Sequence, residues 1–142
     1  MTTTTPRVTN VEKLQAPEPV TVRDLLLSPI DERHLKTRVQ ETKNGSIELD
    51  YYPCWVLWRC LIERATNGYR WEIASVEQFG EFVCVRRRLV VFDEEGIEQV
   101  VENVASERLD SKGAPPIETA ASSCFRRCAA GHGLGIAAYL GD

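Results

Sequence analysis

Phe82-Val83-Cys84-Val85-Arg86-Arg87-Arg88-Leu89-Val90-Val91-Phe92, followed by Asp93-Glu94-Glu95-Gly96 and then Ile97 to Ala105, is the stretch that decides the fold. The first eleven residues read as one long strand with two unlike faces. Val83, Val85, Leu89 and Val91 share one face with Arg87, while Phe82, Cys84, Arg86, Arg88, Val90 and Phe92 share the other. Asp93 to Gly96 is turn chemistry, and Ile97 to Ala105 returns as the next strand. Upstream, Tyr69-Arg70-Trp71-Glu72-Ile73 alternates strictly and supplies a third strand. Short connections with no helical crossover make this an antiparallel three-stranded meander. Helical segments lie on both sides of it in the chain, so the expected class is α+β, a β-β-β-α core with one domain's worth of residues.

Working outward, Cys54 to Ala65 reads as a helix set between Tyr51-Tyr52-Pro53 and Asn67-Gly68. Apolar residues occupy most of its circumference, Arg59, Glu63 and Arg64 excepted, so it needs cover on more than one side. That cover comes either from its own subunit or from a neighbour. Before it, Ser28-Pro29-Ile30-Asp31 looks like a helix start with Ser28 as N-cap. Leu35 and Val39 would give that helix a thin apolar face, and Lys43-Asn44-Gly45-Ser46 would end it. Residues 1–28, with their threonines and prolines, read as a flexible arm in which Leu25-Leu26-Leu27 is a docking point. The core domain is then 29–142.

After the meander, Pro115-Pro116 opens a helix over Ile117 to Ala130. On a helical wheel, Ile117, Ala120, Ala121, Cys124, Phe125 and Cys128 form one apolar stripe, and Thr119, Ser123, Arg126 and Arg127 fall opposite. Gly131 suits the left-handed position that closes a helix. Arg126 and Arg127 either complement the negative end of the helix dipole or hold an anionic ligand.

The net charge of −4 is not that of a nucleic-acid binder as a whole, so any such contact must come from a local basic groove. Arg86 and Arg88 are candidates, lying beside Phe82 in the mixture of charge and aromatic surface that tracks a single strand. The competing reading pairs them across strands with Glu72, Glu98 or Glu102. No run of eighteen apolar residues and no secretory pattern at Met1-Thr2-Thr3-Thr4-Thr5-Pro6 occur, so a soluble, cytoplasmic protein without membrane contact is expected. Five cysteines without paired short spacing read as reduced thiols. Cys124, Cys128 and His132 recur every four residues, which offers a small metal site as an alternative. Gly131-His132-Gly133-Leu134-Gly135 follows a helix instead of joining a strand to one, the wrong context for a dinucleotide-binding loop. Neither a Gly-x-x-x-x-Gly-Lys loop nor a His-Glu-x-x-His site is present, so the expectation is a non-enzyme without cofactor.

Several segments, in this order, resemble the Rad fifty-two type single-strand annealing proteins and their shorter bacterial and phage members. They are Leu35-Lys36-Thr37-Arg38, then Asp50-Tyr51-Tyr52-Pro53 leading into a helix, then Gly68-Tyr69-Arg70-Trp71-Glu72-Ile73. Phe125-Arg126-Arg127-Cys128-Ala129-Ala130 with Gly133-Leu134-Gly135 is similar to the family's basic-pair helix and its glycine-containing end. The resemblance covers about residues 30–142 and implies a closed homo-oligomeric ring that binds single-stranded DNA and anneals complementary strands in recombination and repair. It places Arg126 and Arg127 at the family's basic pair. Two further basic positions are filled here by Val56 and Ala130; Arg59, one turn on, is the substitute for the first, and Lys112 is the candidate for a second, outer contact. The long tail through which eukaryotic members engage recombinase and single-strand-binding protein has no counterpart, so those partners are not indicated. The reading from another class is an oligomeric scaffold that binds no nucleic acid.

Overall fold

A computed structural model describes residues 20–136 and 138. Among these residues the helices and strands follow one another as α1 (Val22–Leu27), β1 (Lys36–Thr42), β2 (Gly45–Tyr51), α2 (Cys54–Arg64), β3 (Tyr69–Phe79), β4 (Phe82–Phe92), β5 (Glu98–Arg108) and α3 (Pro116–Gly131). The class is α+β, with an antiparallel sheet in the order β3-β4-β5 packed against helices and a separate two-stranded sheet of β1 and β2. No helix among the described residues is long and apolar enough to cross a membrane.

The meander stands as read, with longer strands. β3 continues past Ile73 to Phe79 through a register shift between Ile73 and Ser75, and β5 runs on to Arg108. The turn after β4 is built by Asp93, whose carboxylate accepts the backbone N–H groups of Glu95 and Ile97, each at 2.9 Å. Those bonds, that of Ile97 foremost, hold its carboxyl below the usual range. Gly96, at φ +80°, completes the reversal.

One face of the sheet carries α3. Leu89, Val91 and Ala105 are buried beneath Ala120, Cys124, Phe125, Cys128 and Ala129, the small residues of the helix allowing close approach. Gly131 marks the limit of that approach: a Cβ there would stand 2.6 Å from Val101 Cγ1. Gly131 is the last helical residue, not the left-handed one expected; Gly133, at φ +103°, takes that conformation. Ile117, expected in the stripe, is 48% exposed. At the other end of the core, Trp58 of α2 stacks on Phe125 with centroids 4.1 Å apart and planes 4° apart. Trp71 meets Phe125 edge-on at 5.4 Å, and Arg87 sits 4.1 Å above Trp71, its pKa lowered by burial.

The segment before α2 departs from expectation. No helix spans 29–43. Ser28 is the C-cap of α1, a single 3₁₀ turn follows at Glu32–His34, and the chain then forms the β1–β2 hairpin. Lys43-Asn44 make the turn, and Gly45, at φ +118°, supplies the left-handed backbone of the return. Leu35 and Val39 therefore share no helical face, and Val39 is 62% exposed. The arm expected over 1–28 ends in ordered structure: α1 carries a capping box of Thr21 with Asp24 and buries Val22 and Leu26. The rest of the arm, 1–19, lies outside the described residues. α2 packs Val56, Leu57, Cys60 and Leu61 inward but leaves Trp55 and Ile62 on an uncovered side.

Candidate nucleic-acid interface

The pairing register gives the hairpin two faces of opposite sign. Lys36, Arg38 and Gln40 stand opposite Tyr51, Leu49 and Ile47 on one; Thr37, Val39 and Glu41 stand opposite Asp50, Glu48 and Ser46 on the other. The basic, aromatic face turns toward α3. There Arg38, Leu49, Tyr51 and Tyr52 line a cleft whose far wall includes Arg126. The Arg38 guanidinium lies 5.8 Å from the Tyr51 ring. Asp50 borders the cleft at the hairpin root, its carboxylate accepting the Thr37 hydroxyl at 2.8 Å.

Arg126 is half-buried, donating to Ser123 Oγ at 3.2 Å and to Cys54 Sγ at 3.4 Å. Both partners are neutral, so the side chain is positioned without losing its charge. Among the described residues neither Arg38 nor Arg126 makes an ion pair. Such a pair of arginines beside aromatic rings suits a phosphate flanked by bases: the guanidinium fork matches phosphate oxygens, and a ring accepts any base by stacking.

The remaining candidates are dispersed. Arg127 donates to the Val104 carbonyl and is turned toward β5, so the helical pair splits between two sides of α3. Arg86 and Arg88 lie on the face of the sheet that α3 does not cover. There Arg86 pairs with Glu102 at 3.3 Å, and Arg88 stands 3.3 Å from Glu102 and 4.0 Å from Glu72. Arg70 joins the same network through Glu72 and Glu98. On that face Arg70, Arg86, Arg88 and Arg108 are matched by Glu72, Glu77, Glu98 and Glu102, leaving it without net charge. Arg59 projects from the outer side of α2, 3.2 Å from Glu63, and Lys112 is exposed in the loop before α3. Of the six, then, only Arg126 opens on the hairpin cleft. Its partner there, Arg38, escaped sequence reasoning because the whole intervening chain decides whether a hairpin reaches a helix; the Asn44-Gly45 turn was the signal available.

Cys124, Cys128 and His132 do share one side of α3, and each is engaged with the sheet backbone. Cys124 Sγ donates to Asn103 O at 3.2 Å, Cys128 Sγ to Arg87 O at 3.7 Å, and His132 Nε2 lies 2.7 Å from Leu89 O. A carbonyl only accepts, so the imidazole proton is on Nε2. Burial pushes both thiols up, Cys128 to about 12, which keeps them protonated donors. Among the described residues no three metal-ligating side chains converge. The glycine run is likewise packed: a Cβ on Gly133 would lie 2.6 Å from Leu27 Cδ2, and one on Gly135 3.1 Å from Leu57 Cδ2.

Buried and facing Arg23, His132 has its pKa lowered from 6.5, burial being the main cause. The unfolded chain therefore takes up the proton first, and stability falls as pH drops from 6.5 toward the folded-state value, with no contribution above 6.5. The urea midpoint is expected to fall more between about pH 7.5 and about pH 5.5 in the wild type than in His132→Gln. Parallel falls in the two proteins would remove His132 as the cause.

No protein-family model matches the chain, and none of the curated proteins matches it either.

Proposed function

We propose that this protein binds single-stranded DNA and anneals complementary strands without ATP, working as a homo-oligomeric ring in recombination and repair. The observation that carries the reading is the cleft between the basic face of the hairpin and α3, where Arg38 and Arg126, which make no ion pair among the described residues, meet Tyr51 and Tyr52. The succession β3, β4, β5, α3 is in keeping with the β-β-β-α core that the resemblance to the Rad fifty-two type annealing proteins implies.

In this reading one subunit supplies only a few phosphate contacts, and a closed assembly repeats them so that linked contacts multiply the affinity. Gripping the backbone leaves bases free to test a second strand, and base pairing itself supplies the energy. The test is annealing of two complementary oligonucleotides in the absence of nucleotide, comparing wild type with Arg126→Ala/Arg127→Ala after matching their assembly state. Wild-type stimulation that the double variant loses supports the reading. Absence of both annealing and single-strand binding at low salt would leave the scaffold reading, which the acidic net charge and the uncovered Trp55 and Ile62 favour.

A further inference from the structure

We propose that the outer cleft of α2 is the seat of the β1–β2 hairpin of a second copy of this chain, which enters by its acidic face. The inference rests on the oligomeric part of the reading above and not on DNA binding.

The seat is an anomaly of α2. A helix that is otherwise core leaves Trp55 56% and Ile62 61% exposed. Trp55, with His34 edge-on at 5.4 Å, lines a cleft together with Arg33, Arg59, Glu63 and Arg64. Cations exceed anions there. Arg64 donates to two neutral carbonyls, Ser28 O at 2.6 Å and Pro29 O at 3.1 Å, so its charge has no carboxylate partner among the described residues. Arg33 and Arg59 do pair, with Asp31 and Glu63, but these contacts are largely exposed and exchange for other carboxylates at little cost.

The occupant follows from what the hairpin lacks. A two-stranded ribbon is marginal in water without a third layer or strand, and the described residues of this one are almost wholly exposed. Its basic face is already turned to its own α3. The face left over presents Glu41 and Glu48 around Val39, an apolar centre with an acidic rim. The α2 cleft presents an aromatic centre with a basic rim. Opposite potentials of this kind set register and partner at an interface. Because seat and occupant are different surfaces of one chain, the contact is head-to-tail and propagates to a ring or an open filament.

Two charge-reversed proteins test this: Glu41→Lys/Glu48→Lys, and Arg33→Glu/Arg59→Glu, each checked for unchanged circular dichroism; if either is misfolded, Glu41→Gln/Glu48→Gln and Arg33→Gln/Arg59→Gln give the separate effects. By sedimentation velocity, each reversed protein alone is expected to lose assembly at least tenfold in concentration dependence, roughly the effect of opposing two pairs of like charges. An equal mixture is expected to reassemble, since each reversed surface meets its complement on the other protein. Assembly of either protein alone at the wild-type level overturns the proposal, as does failure of the mixture to reassemble. A wild type that is monomeric throughout overturns this proposal together with the ring. A wild type that assembles and mixes as expected but binds no single strand upholds the interface and sinks the annealing reading alone.

Discussion

Replacing Arg38 and Arg126 together by alanine is expected to weaken single-strand binding by at least ~100-fold at low salt, since each charge-assisted hydrogen bond contributes roughly 1.5–3 kcal/mol. We take the lower end because the cleft is open to water and screened. The two residues come from a hairpin and a helix almost ninety positions apart in the chain, yet they border one cleft, and among the described residues neither makes an ion pair. The dependence of log affinity on log salt should flatten as well, by about 0.7 for each lost phosphate contact on a single strand. A companion protein with Arg86→Gln and Arg88→Gln supplies the contrast. Those arginines face Glu72 and Glu102, so their loss should change affinity by no more than about threefold, the range of surface ion pairs. Equal losses in the two proteins, measured by fluorescence anisotropy across a salt series, would show that the hairpin cleft is not where the strand lies.

The largest effect on stability is expected from Phe125→Ala. Phe125 is 2% exposed, stacked on Trp58 and capped edge-on by Trp71, so one side chain ties α3 to both α2 and β3. Removing a buried ring of this kind costs about 3–5 kcal/mol. Against a total of roughly 5–15 kcal/mol for a domain, that leaves the fold close to its threshold. At about 3–5 °C per kcal/mol for a chain of this size, the midpoint should fall by roughly 10–20 °C. Thermal unfolding followed by tryptophan fluorescence reads both the shift and the altered surroundings of Trp58. A fall of less than about 3 °C would mean that α2 and α3 are held together elsewhere.

What could be read from the sequence depended on whether a segment has a buried side. β4 alternates because Val85, Leu89 and Val91 lie under α3, and the opposed Glu102 and Glu72 were the natural partners of Arg86 and Arg88. α3 was readable for the same reason, down to the Pro115-Pro116 start. The hairpin offered no such periodicity, since neither of its faces is buried in its own subunit. Leu35 and Val39, four residues apart, then imitated a helical face. Ser28-Pro29 imitated a helix start although Ser28 closes the helix before it. The candidate site suffered from the same blind spot. Arg126 emerged from a helical wheel, whereas Arg38 belongs to the ribbon that no hydrophobic pattern marks.

The alternation of the hairpin also makes the sign of the cleft a matter of strand register. Side chains in a strand change sides at every residue, so pairing displaced by one position on both strands would send Lys36 and Arg38 outward and bring Glu41 and Glu48 to face Arg126. Composition and net charge would be untouched, yet the wall opposite α3 would repel phosphate. The turn at Lys43-Asn44-Gly45, distant from the cleft and touching nothing in it, is therefore the element that keeps a polarity in place.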